Sequence, residues 1–132
     1  MPGLYTFSKS EKLCGKLRIK HLYEHGKRFT CFPLRVTWLL TETNTEHSQP
    51  VVLVWAAKSL FKHAVSRNRL RRKMREAYRL NSEQLKHYCT ENNIIIQLAF
   101  NYISKEEAEY MQIEKAVRKA ISKLTTDEIL CS

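Results

Sequence analysis

Two short runs of the chain, PVVLVWAA at 50–57 and NIIIQLAF at 93–100, are apolar almost throughout. Each is far too short to cross a bilayer. Neither shows the strict polar–apolar alternation of a strand with one wet face, so both read as strands buried within a sheet. The near-complete apolarity of 50–57 places it at the centre of that sheet. A long helical pattern lies between the two runs. At ~100° per residue, Leu70, Met74, Ala77, Tyr78, Leu85 and Tyr88 fall on one side, a core-facing stripe of one continuous helix.

The remaining elements follow from the same periodicities. In SKSEKLCGKLRIKHLYEH, 8–25, Ser8 is followed three positions on by Glu11, the pattern of a capping box. Leu13, Leu17, Ile19, Leu22 and Tyr23 then make a helical stripe that Gly26 ends. RFTCFPLRVTWLL, 28–40, is rich in aromatic and β-branched residues and reads as a strand, with Pro33 marking an edge or a bulge. The polar linker at 41–49 makes 28–40 and 50–57 look like a hairpin with a long connection. A last helix is expected over 105–124, with Ala108, Met111, Ala116, Val117, Ala120, Ile121 and Leu124 as its apolar positions. The expected order is α-β-β-α-β-α over a single domain, 1–132. This is an α+β sandwich, a sheet with helices packed on it.

Composition enters through charge. The net charge is +10 and the pI about 9.6. Such an excess repels itself, which points to a polyanionic partner, nucleic acid ahead of an anionic membrane surface. The opening MPGLYTFSKS has no apolar run or small-residue cleavage site, so a cytoplasmic location is expected. Cys14, Cys31, Cys89 and Cys131 are irregularly spaced and fit reduced thiols better than a zinc knuckle or a redox pair.

The charge is concentrated in SRNRLRRKMREAYRL, 66–80, where seven basic residues at 67–79 face only Glu76. Arg71, Arg75 and Arg79 follow one another at i,i+4 with no acid on that arc. Like charges at this spacing cost a few tenths of a kcal/mol per pair, a cost that phosphates would relieve. Six of the seven are arginine, whose planar guanidinium bridges phosphate oxygens and stacks on bases. Asn68 among them offers a donor and an acceptor. Lys58 and Lys62 extend the patch toward the end of the preceding strand.

Residues 61–75, FKHAVSRNRLRRKMR, resemble the signature of the protein subunit of bacterial ribonuclease P. The matching positions are Phe61, Ala64, the Arg67-Asn68-Arg69 triplet, then Leu70, Arg71, Arg72, Met74 and Arg75. IKHLYEHGKRF resembles that family's first helix and turn, and NIIIQLAF its last strand. The loop KSLFKH departs from the pattern: it is one residue longer and lacks a glycine, so its geometry does not carry over.

The resemblance implies an α-β sandwich with a left-handed crossover around the basic helix. It also implies a protein cofactor for a ribonucleoprotein that removes the 5′ leader from precursor tRNA. The catalyst there is the RNA, working with magnesium ions, so no catalytic residue, resident metal, small-molecule substrate or membrane is expected for this chain. Arg67, Asn68, Arg69, Arg71, Arg72 and Arg75, with Lys58 and Lys62, would contact the catalytic RNA. The leader would lie in a cleft between the first helix and the sheet, walled by Tyr23 and Ile19, with Arg35 and Thr37 as its floor.

Other constellations carry less. His21 and His25 are spaced for two zinc ligands on a helix but lack a third. Glu106, Glu107 and Glu109 begin a helix, where acids favour the macrodipole, rather than converging on a two-metal site. Trp38 and Trp55 read as packing residues of strands, not as platforms for bases. The competing class is a non-catalytic, ribosomal-type RNA-binding module, which would need the basic helix but no cleft for a single strand.

Overall fold

A computed structural model describes residues 16–42 and 50–125. The elements are α1 (Lys16–His25), β1 (Lys27–Cys31), β2 (Leu34–Glu42), β3 (Val51–Ala56), α2 (Ala64–Asn81), α3 (Glu83–Asn92), β4 (Ile94–Tyr102) and α4 (Tyr110–Leu124). The expected cap at Ser8 and Glu11, the stripe position Leu13, and Cys14 and Cys131 lie outside the described residues.

The α+β class holds, but the sheet is wired differently from the expectation. Its order is β1-β2-β4-β3. The stretch 28–40 is two strands, not one. β1 and β2 pair antiparallel across a turn at Phe32-Pro33, whose peptide bond is cis. Pro33 therefore marks the reversal itself. Nor do β2 and β3 form a hairpin, because β4 lies between them, antiparallel to β2 and parallel to β3. β3 is an edge strand, not the central one. Its core face is buried and Val51 and Leu53 have cover on the other face, and hydropathy records that cover without reporting which strands are hydrogen-bonded neighbours. β4, at nine residues, is long enough to pair along β2 on one side and β3 on the other.

The two faces of the sheet separate by residue parity, as period-2 alternation requires. Ile94, Ile96, Leu98, Phe100 and Tyr102 of β4 join Val52, Val54 and Ala56 of β3 and Leu34, Val36 and Trp38 of β2 in the main core, beneath α2, α3 and α4. Ala99 and Val51 face the other way and meet Leu22 of α1, with Ile19, Tyr23, Leu39, Leu53 and Ile95 around them.

The long helix breaks at Ser82. The serine is buried, and its hydroxyl donates to the Arg79 carbonyl (3.3 Å). The stripe Leu70, Met74, Ala77, Tyr78 continues into Leu85, Tyr88 and Cys89 across the break, so periodicity alone reads one helix where there are two. α3 stops at Asn93, which takes a left-handed φ of 52° and returns its N–H to the Cys89 carbonyl. Asparagine tolerates that conformation at a helix end, and the chain passes directly into β4. α4 begins at Tyr110, later than the expected 105. Residues 103–109 instead form a loop pinned by the Tyr102 hydroxyl, which donates to the Glu106 carbonyl and accepts from the Ala108 N–H (2.8 Å). Met111, expected in the apolar stripe, is exposed, and Ile113 is buried in its stead.

Candidate RNA interface

The buried side of α2 decides where its arginines point. Leu70, Met74, Ala77 and Tyr78 are each 0% exposed, which fixes the helix's rotation and leaves the cationic arc outside. That arc divides by partner. Arg67 donates to the carbonyls of Phe61 (2.7 Å) and Lys62 (3.1 Å), holding the loop before the helix where His63, at the N-cap, makes no side-chain cap bond. Arg69 forms a two-pronged pair with Glu107, with 2.9 Å between Nη2 and Oε2. Lys73 stands 3.7 Å from the same carboxylate and donates to the Ala108 carbonyl. Hydrogen bonding from Arg69 holds the Glu107 carboxyl below the usual range, and the Arg69 guanidinium is correspondingly raised. Arg79 pairs with Glu76.

Three arginines of α2 are bound to neither a carboxylate nor a backbone carbonyl among the described residues. Arg72 and Arg75 are exposed and make no hydrogen bond or ion pair among the described residues. Arg71 donates to Asn68 Oδ1 (2.6 Å), and its guanidinium carbon lies 5.6 Å from the Trp55 ring centroid. Lys58 and Lys62 are exposed on the adjoining loop. The arginine–asparagine–arginine triplet thus does internal work: Arg67 braces the loop, Asn68 aims Arg71, and Arg69 fastens 103–109 to α2.

On the opposite face of the sheet, α1 covers only part of the surface. Gly26 makes its entry into β1 tight. A Cβ there would lie 2.5 Å from the Leu22 carbonyl oxygen and 2.9 Å from that of Trp38. Tyr23 Oη donates to Asn101 Oδ1 (2.9 Å), and Arg28 donates to the Tyr23 carbonyl (2.7 Å). Burial raises the Tyr23 hydroxyl pKa, against the opposing pull of Asn101 and Arg28. Arg35 lies between Thr30 and Asn101, and Thr37 between Arg28 and Ala99. Both therefore point to α1's side. Arg35 is exposed there, but Thr37 is 1% exposed and underlies the floor without being part of its surface.

Trp55 lies on a sheet face, as its sequence reading allowed, but not in the core. Trp38 is buried, but Trp55 is 47% exposed. It is paired with Asn101 in the ladder and shares that residue's face. Its place on the edge strand, beyond the cover of α1, leaves the indole in the open. Sheet order would have revealed this; composition could not.

His21 and His25 meet at a tilt of 43°, with ring centroids 4.6 Å apart, on an exposed part of α1. Among the described residues no three His, Cys, Asp or Glu side chains gather as a metal site, and no helix is long and apolar enough to cross a membrane. Burial pushes the Cys89 thiol up to about 12, marking it as a core residue.

A solvent-facing arginine helix set against a four-stranded mixed sheet with a part-covered face defines an α+β protein built to dock on RNA. The ribonuclease P family model matches residues 7–125, and the chain belongs to that family. It is 36% identical over 124 residues to the ribonuclease P protein component of two Porphyromonas gingivalis strains, covering 93% of this chain and 89% of each relative. The same component from Chlorobium phaeobacteroides is 38% identical over 112 residues, covering 78% and 77%. The Staphylococcus aureus RNase P protein superposes with a TM-score of 0.64 over 89% of this chain and 97% of that one. At 17% identity that likeness concerns the fold. The chain is the protein cofactor of an endoribonuclease whose catalysis is performed by RNA.

Proposed function

We propose that the chain holds the single-stranded 5′ leader of precursor tRNA on the sheet face beside α1, while the free cations of α2 dock on the catalytic RNA. What supports this reading is the strand register, which brings Tyr23, Asn101 and Arg35 to one partly open face. An aromatic ring, an amide and a guanidinium on one surface suit an unpaired nucleotide. The ring stacks on a base and the cation meets the backbone. Arg71, Arg72, Arg75, Lys58 and Lys62 neutralise phosphates of the RNA partner, which the magnesium ions of the holoenzyme would otherwise have to screen. The chain supplies positioning and charge, with no catalytic group of its own. It works in the cytoplasm, where precursor tRNA is matured.

The test is cleavage of a precursor tRNA by a bacterial ribonuclease P RNA at low magnesium, with and without this chain. Cutting at the mature 5′ end is expected only when both are present. Binding of the RNA without any stimulation would leave a general RNA-binding module, and cutting by the chain alone would overturn the assignment. The leader is tested separately with Tyr23→Ala. Loss of one stacked base, worth about 1–3 kcal/mol, should weaken precursor binding while leaving mature tRNA nearly unaffected. Equal losses on the two RNAs would refute the cleft.

A further inference from the structure

We infer that Trp55 is a second stacking subsite, which takes an unpaired nucleotide of the single strand where the sheet face meets α2. The inference rests on the leader reading and adds to it a position that neither composition nor family pattern assigns. An indole 47% exposed on a strand is the first observation. Tryptophan gains much from cover, and the other tryptophan, Trp38, is only 8% exposed, as Tyr78 and Phe100 are also buried; Phe32, at the β1–β2 turn, is the other large ring left open among the described residues.

Its neighbours say what the cover is. Trp55 is the ladder partner of Asn101, one strand spacing away, about 4.8 Å. Asn101 Oδ1 is committed to the Tyr23 hydroxyl, which leaves the amide N–H groups as what this residue offers a ligand. The order across the face is therefore aromatic ring from α1, amide donor, then indole. Two stacking surfaces flank one hydrogen-bond donor suited to a base carbonyl or ring nitrogen.

The third observation is Arg71. Its guanidinium carbon sits 5.6 Å from the indole centroid, and Asn68 holds it by a 2.6 Å hydrogen bond. α2 packs against the other face of the sheet, so the side chain reaches round the β3 edge to meet the ring. The cation–π contact places a guanidinium able to meet a phosphate beside a base-stacking surface. A surface for a base with a cation for its phosphate is the complement of a nucleotide. It is also where a strand leaving the cleft would come within reach of the basic helix.

The chain has two tryptophans, and only Trp55 is exposed, so it reports on itself. The holoenzyme, assembled from the full chain and a ribonuclease P RNA, is titrated with precursor tRNA bearing an unpaired leader and, in parallel, with the same tRNA lacking it. Quenching of tryptophan fluorescence is expected with the precursor and not with mature tRNA, and it should vanish in Trp55→Phe. Trp55→Ala should weaken precursor binding about 5- to 150-fold and leave mature tRNA unchanged, with Trp55→Phe restoring most of the loss. Unaltered precursor affinity in Trp55→Ala would overturn the subsite, as would equal losses on both RNAs with a lowered melting temperature. Tyr23→Ala separates the two readings. If it abolishes leader discrimination and Trp55→Ala does not, only the subsite falls. If neither variant alters discrimination, the leader reading falls with it.

Discussion

Arg69 and Arg72 lie one turn apart on α2 and have opposite employment. Arg69 is bound to Glu107, 38 residues away, whereas Arg72 makes no bond within the described protein. The affinity of the chain for its RNA partner should record the difference. Replacing Arg72 or Arg75 with glutamine should make the slope of log affinity against log salt shallower by about 0.7–0.9 each, and Arg69→Gln should leave the slope nearly unchanged. A slope that falls equally in all three variants would mean that Glu107 releases Arg69 to the RNA. The pair has its own pH signature. Because the Glu107 carboxyl is held below its ordinary value, the stability it contributes is present above the unfolded carboxylate pKa and is lost as pH falls through the lowered folded value. The melting-temperature deficit of Arg69→Gln relative to wild type should therefore be largest near neutrality and close as pH falls through and below the ordinary carboxylate range. A deficit that is constant with pH would assign it to lost packing of the arginine stem. The number and sign of the charges were legible in the sequence, because they are local. Their division into braced and unbraced cations was not, because Glu107 and the loop carbonyls come from elsewhere in the chain. Trp55 was missed for the same reason, since its exposure is a property of the sheet's edge.

At the level of elements, legibility followed whether a signal depends on the chain's own backbone or on its neighbours. Helix periodicity located α1, α2 and α4 but not every buried position, since Leu17 of the α1 stripe and Met111 of the α4 stripe are exposed; it also ran unbroken across Ser82, where the backbone turns but the apolar stripe does not. The strand runs were found, yet their order was not, because an edge strand with one buried face and a part-covered other face can look as apolar as a central one. α1 is the element on which the proposed cleft depends, and Gly26 holds it close to β2. A Cβ at this position meets two backbone carbonyl oxygens, those of Leu22 and Trp38, so no rotamer change relieves the clash and α1 must move off β2. Gly26→Ala should cost about 1–3 kcal/mol, in the range of overpacked sites. Since Tyr23 and Ile19 travel with the helix, it should also weaken precursor tRNA more than mature tRNA. Calorimetry together with the two binding titrations tests this. A variant as stable as wild type, with unchanged leader discrimination, would show that α1 has slack against the sheet.

Across the whole molecule, the net charge of +10 acts on folding and on binding with opposite signs. In the free protein it is a self-repulsion, sharpest along Arg71 and Arg75 at i,i+4, and added salt screens it. The exposed pairs that salt also weakens, such as Lys20 with Glu24, contribute little by comparison. The melting temperature of the free chain should therefore rise between low and moderate salt, by about 3–6 °C for each kcal/mol of repulsion removed. With RNA bound the balance reverses. The phosphates already offset the charge, and stability gained by binding grows with the logarithm of affinity, which falls steeply as salt rises. The melting temperature of the complex should then fall over the same salt range. Scanning calorimetry of both species across one salt series distinguishes the alternatives. Opposite slopes identify the excess charge as a strain that the RNA relieves. If the free chain also loses stability with salt, its internal ion pairs outweigh its repulsion, and the arginine row of α2 would be a solvated surface.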